Sequence, residues 1–106
     1  MSKYLFIGSY TAEGAKGVLK EGGTARRTAT EKLLGSVGGT LEAYYFGFGG
    51  DDFYLIADLP GNVEAAAGAL AAGASGAINV RTVVLLTPAE VDRAVAIHAD
   101  YRAPGA

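Results

Sequence analysis

The chain has 106 residues, half of them hydrophobic and 19% charged, with 9 basic against 11 acidic side chains and a net charge of −2. That much apolar surface excludes an intrinsically disordered chain, and the absence of any basic block removes the electrostatic term on which nucleic-acid binding depends. Zero cysteines exclude thiol catalysis, disulfides and Cys-based zinc sites together.

The length predicts one domain over residues 1–106, large enough to bury a core without a metal or a cross-link. No apolar run approaches the roughly 18–20 residues that a bilayer span requires, so no membrane partner is expected. The apolar run at residues 4–7 is too short for the core of a secretory leader and is better used as a strand, which makes the cytoplasm the expected location.

Residues 3–10 read as a first strand, with Tyr4, Phe6, Gly8 and Tyr10 on one face and Leu5, Ile7 and Ser9 on the other. Thr11 can cap the helix that follows, and Glu13 places negative charge in its first turn. Ala15, Val18, Leu19, Gly22, Ala25, Ala29, Leu33 and Val37 then recur at helical spacing until Gly38-Gly39 supplies a stop. Gly22-Gly23 falls inside this stretch and predicts a kink or short break, since each glycine costs about 1 kcal/mol against alanine in a helix interior.

Residues 40–59 predict a β-hairpin, two aromatic and aliphatic runs joined by Gly-Gly-Asp-Asp. Simple alternation sets Leu41, Ala43 and Tyr45 against Tyr44, Phe46 and Phe48, and Phe53, Leu55, Ala57 and Leu59 against Tyr54, Ile56 and Asp58. Asn62 is the expected cap of a helix over 63–74. Its alanines and glycines allow close approach to a sheet, with Val63 and Leu70 as the larger contacts. Residues 78–86 form a fourth strand. Thr87-Pro88-Ala89-Glu90 is a capping box with proline at the first helical position, opening a last helix with Val91, Ala94, Val95 and His98 on one face. The tail from Arg102 frays.

The order is strand, helix, strand, strand, helix, strand, then an extra helix. It predicts an α+β, ferredoxin-like β-α-β-β-α-β domain with a four-stranded antiparallel sheet. Two helices cover one face of such a sheet, and here both faces are apolar. A homodimer formed through the open sheet face, able to associate further, is the expected cover; a C-terminal helix folded back over that face is the alternative.

The opening KYLFIGSYTAEGAKGVLKEGG, the Gly38-Gly39 stop, the FGFGGDD hairpin tip, the ADLP ending at Pro60 and VVLLTPAEV together resemble the GYD domain family, over nearly the whole chain. The resemblance implies a ferredoxin-like fold related to the dimeric α+β barrels, and a dimer. It also implies kinship with barrels that include muconolactone isomerase-like and cofactor-independent monooxygenase-like enzymes. Asp51 stands where the family's tyrosine would precede its aspartate, so no role for that tyrosine carries over.

Gly47-x-Gly49-Gly50 joins two strands, which is the wrong context for a nucleotide loop and the right one for a hairpin. His98 is the lone histidine, and no metal-ligand spacing accompanies it, so no metal and no cofactor is expected. The best anion site runs along the first long helix: Lys16 and Lys20 share a side, and a break at Gly22-Gly23 would expose backbone N–H groups beside Arg26 and Arg27, fit for a small anionic metabolite. Asp58 at the end of an apolar strand, Tyr10 and Tyr45 on strands, and His98 are the candidates for proton transfer. The sequence therefore predicts a small-molecule binding or structural module. A cofactor-independent isomerase or oxygenase acting on a small organic acid or aromatic is the alternative.

Overall fold

The computed structural model describes residues 1–47 and 49–106. Its elements are β1 (Ser2–Tyr10), α1 (Ala12–Ser36), β2 (Thr40–Phe46), β3 (Phe53–Leu59), α2 (Asn62–Ala74), β4 (Ile78–Leu85) and α3 (Pro88–Ala96). The strands form one antiparallel sheet in the order β2-β3-β1-β4, the α+β ferredoxin-like arrangement expected from the strand and helix order. The two most buried strands, β1 and β3, lie at its centre. Their helix-side residues Tyr4, Phe6, Phe53, Leu55, Ala57 and Leu59 join Leu34 and Ala65 in the core.

β2 departs from simple alternation. Register slips between Leu41 and Ala43, so Glu42 is the extra residue of a β-bulge. Leu41 pairs with Ala57, whereas Tyr44 and Phe46 pair with Leu55 and Phe53, which puts all three on the helix side. Ala43 and Tyr45 go to the open face. The grouping of Leu41 with Ala43 and Tyr45 is thereby corrected; Phe48, predicted to share a face with Tyr44 and Phe46, lies outside the described residues.

α1 starts as expected, the Thr11 hydroxyl accepting from the Gly14 backbone N–H at 3.2 Å. It kinks at Gly22, whose φ of 83° is left-handed and suits glycine. The kink re-phases the helix. Beyond it Leu33 and Val37 turn inward as expected, joined by Arg26, Thr30 and Leu34, while Ala29 and Leu19 of the expected stripe stand exposed. Gly14 is buried where the chain enters α1, and a Cβ there would overlap the Ala77 carbonyl oxygen. Gly14→Ala should therefore cost about 2–3 kcal/mol, read as a lower urea midpoint with unchanged slope.

α2 meets the sheet through Ala65, Gly68, Ala69 and Ala72. Val63 and Leu70, expected as its larger contacts, are 77% and 73% exposed, because the small-residue stripe is the face that lets the axis come close. Nor does Asn62 cap this helix. Gly61 holds the N-cap position, and the Asn62 side chain instead accepts a 2.6 Å hydrogen bond from the nearly buried hydroxyl of Tyr4.

Thr87 and Glu90 close the predicted capping box reciprocally, at 3.2 and 2.9 Å, and these hydrogen bonds lower the Glu90 pKa. α3 nevertheless contributes no buried residue and does not roof the open face of the sheet. It ends at Ala96, so His98 falls beyond the helix rather than on its apolar face. The chain measures 56 × 33 × 21 Å with a radius of gyration of 16.8 Å. A compact domain of this length has about 13 Å. The difference fits a C-terminal arm that projects from the sheet.

Candidate functional site

A helix faced with alanine and glycine approaches the sheet but cannot fill the space beside it. The result is a cavity of about 60 Å³ between α1, α2 and the helix side of the sheet, room for several water-sized spheres. Its floor includes Phe6, Leu55 and Val80, and Leu33, Leu34 and Ala72 are among its wall residues. Three polar side chains, Arg26, Thr30 and Tyr44, reach its lining. A wider space of about 320 Å³ adjoins it between α1 and α2, sharing Arg26, Leu33, Ala72 and Ile78 and adding Tyr10, Glu13 and Glu21. Arg26 thus stands at the neck between an apolar chamber and an acidic mouth.

The Arg26 side chain is 25% exposed and its Nη1 lies 3.3 Å from a Glu21 carboxylate oxygen. Its Nε is buried and, among the described residues, has no hydrogen-bond partner. The Tyr44 ring stacks on Phe53 at 6.0 Å, and its hydroxyl sits 3.3 Å from that of Tyr10. Burial is the main cause that pushes the Tyr44 pKa up, reinforced by the Tyr10 hydrogen bond, with Arg26 and Thr30 pulling weakly the other way. Its hydroxyl therefore keeps its proton at neutral pH and can donate. The Thr30 hydroxyl donates to the Arg26 carbonyl at 2.9 Å, leaving its lone pairs to accept.

Of the residues singled out from sequence, Arg26 and Tyr10 come to this site. Arg27 points away from it and pairs with Glu31 at 3.6 Å, while Lys16 and Lys20 are exposed on the segment before the kink. Asp58 lies on the open sheet face. There Lys3 Nζ donates to it at 2.9 Å and to Glu42 at 2.6 Å, and these two bonds, Glu42's first, raise the lysine's pKa. Tyr45 is on the same open face, 71% exposed, and His98 is exposed on the arm. Asp52 shapes the hairpin, its carboxylate accepting from the Tyr10 backbone N–H at 2.8 Å and its own N–H donating to Gly8. Asp51 pairs with Arg81 at 3.3 Å.

Sequence reasoning missed Thr30 and Tyr44. The signal for Thr30 was the re-phasing that a glycine break imposes on everything after it; Tyr44 was hidden by the bulge at Glu42. Among the described residues no group of three or more His, Asp or Glu is placed to hold a metal ion, and no helix is long and apolar enough to cross a membrane.

No curated protein and no solved structure matches the chain significantly. The GYD domain family model does match, over residues 4–95, a span that takes in all of the sheet but the first two residues of β1, both sheet-packed helices, the cavity and most of α3. With the match covering most of its 106 residues, the chain belongs to the GYD domain family.

Proposed function

We propose that the protein is a homodimeric small-molecule binding module, each subunit holding a compact, largely apolar ligand between its helices and its sheet. The observation that carries this reading is the preformed apolar chamber with three polar side chains converging at one end, the usual make-up of a ligand site. A cofactor-independent isomerase or oxygenase has less support. Asp58 and His98 lie outside the chamber, and Tyr44 is held protonated where a base would have to be ionised.

Dimerisation is supported by the open face itself. Paired across the strands, Ala43, Ile56, Leu5 and Val83 form one row and Tyr45, Tyr54, Ile7 and Arg81 the next. Lys3, Asp58 and Glu42 border this apolar centre on one side, and the Arg81–Asp51 pair lies at the other. An apolar centre inside a polar rim is the anatomy of a protein interface. Exposed Val91, Val95, Ile97 and Tyr101 on the arm give a second surface for further association. A cytoplasmic setting belongs to the same proposal, supported by the use of Tyr4 to Ile7 within the central strand β1.

A fragment screen read by amide chemical shifts tests the ligand reading. Small apolar compounds should move the signals of Leu33, Ala69, Ala72 and Ile78 together. A library of such compounds that moves none of them would overturn it.

A further inference from the structure

We infer that the ligand of the chamber is a compact monocarboxylic acid, its carboxylate held on the Nε side of Arg26 with the Tyr44 hydroxyl turning from Tyr10 to donate a second hydrogen bond, and its hydrocarbon body against Phe6 and Leu55. The inference deepens the proposed binding function and rests on it.

Four observations converge on this chemistry. The chamber lining is apolar except for Arg26, Thr30 and Tyr44, the first two near enough to the Tyr44 hydroxyl to act on it, so its occupant has one polar end and no more. The polar end contains a guanidinium, which stays charged at any physiological pH and whose planar fork matches a carboxylate. Glu21 engages that fork only through Nη1, while Nε is buried and without a partner among the described residues. A buried unpaired donor is rare in native proteins because it has given up water for nothing, and an anionic oxygen is the acceptor that best repairs the loss. The fourth observation is the Tyr44 hydroxyl in the lining, whose one proton can pass from the Tyr10 oxygen to a ligand.

The same geometry selects against other anions. The guanidinium is already shared with Glu21 and Glu13 stands at the mouth, so a dianion such as a phosphate monoester meets more repulsion here than a monocarboxylate held on the buried Nε. The size of the chamber favours short-chain or small cyclic acids.

Calorimetric titration at pH 8 with isovalerate, its neutral isostere isovaleramide and isobutyl phosphate, a dianion at that pH, tests the inference on the intact protein. Isovalerate should bind at least tenfold more tightly than either of the others, a difference of about 1.4 kcal/mol. Arg26→Gln should abolish that preference for acid over amide, and Glu21→Gln, which frees the second half of the fork, should tighten isovalerate. Should Arg26→Gln fold poorly, Glu21→Gln and the amide comparison on the unaltered protein still decide. Amide binding equal to acid binding, or undiminished acid preference in Arg26→Gln, would overturn the carboxylate assignment while leaving the chamber as a ligand site. Failure of all three probes to bind would overturn the assignment, and failure of the apolar fragment screen as well would remove the binding function beneath it.

Discussion

Ile56→Lys should abolish the proposed dimer without unfolding the subunit. Ile56 lies in the middle of the open face, paired with Leu5 on β1 and with Ala43 on β2, and Leu5 is in turn paired with Val83. In a face-to-face dimer a lysine there would be shut inside the apolar centre. The nearest carboxylates, Asp58 and Glu42, are already engaged by Lys3. An unpaired charge so placed should cost association at least about 3 kcal/mol, a weakening of more than about 100-fold in Kd. In the isolated subunit the same face is wet, and the lysine can extend its ammonium into solvent with its stem along the sheet. Light scattering across a concentration series should therefore report a monomer, with the far-ultraviolet dichroism of the parent protein. Leu70→Lys, on the outer side of α2, is the control and should remain dimeric. A parent protein that is itself monomeric at micromolar concentration, or an Ile56→Lys variant as strongly dimeric as the parent, would remove the open face as the interface.

What could be read from the sequence and what could not divides along a physical line. The sheet was legible because its strands are short runs of apolar and β-branched residues set off by glycine, proline and capping signals. The capping box at Thr87 was legible because its two hydrogen bonds are local. The bulge was not, since a glutamate after Leu41 fits the alternation of a strand as well as it fits an inserted residue; only the demand that Tyr44 and Phe46 reach the core displaces it. The glycine break in α1 was foreseen, but its consequence depends on the angle at which the second segment leaves Gly22, and that angle brings Arg26 and Thr30 inward. α2 shows the limit of a size argument. In an amphipathic helix the larger apolar residues are expected inside, yet α2 turns its alanines and glycines to the sheet, which brings the axis close and leaves the chamber beside Phe53 and Leu55. The candidate site was half legible for the same reason: Arg26 and Tyr10 could be suspected one by one, but their meeting with Tyr44 is a product of tertiary packing.

Leu59→Ala should destabilise the protein by about 3 kcal/mol and at the same time widen its ligand range. Leu59 is 0% exposed at the end of β3, and its side chain lines the chamber. Removing its isobutyl group subtracts the transfer free energy of the lost carbons and adds a cavity term, which together run to about 2–5 kcal/mol in well-packed sites. Collapse offers little relief here. The backbone around Leu59 is fixed by pairing with Ser2 on β1, and Gly39 already lies against the leucine's own methyl groups. For a domain of this size the loss corresponds to a fall in Tm of roughly 10–20 °C. The vacated volume is continuous with the chamber, so bulkier acids such as benzoate should gain affinity relative to isovalerate. Saturating benzoate should recover part of the lost Tm, because a ligand specific to the folded state raises its stability by mass action. A loss below about 1 kcal/mol would mean that the helix layer closes over the deletion. A layer able to close there would equally close over the chamber, and a site of that kind would be shaped by its ligand rather than ready for it.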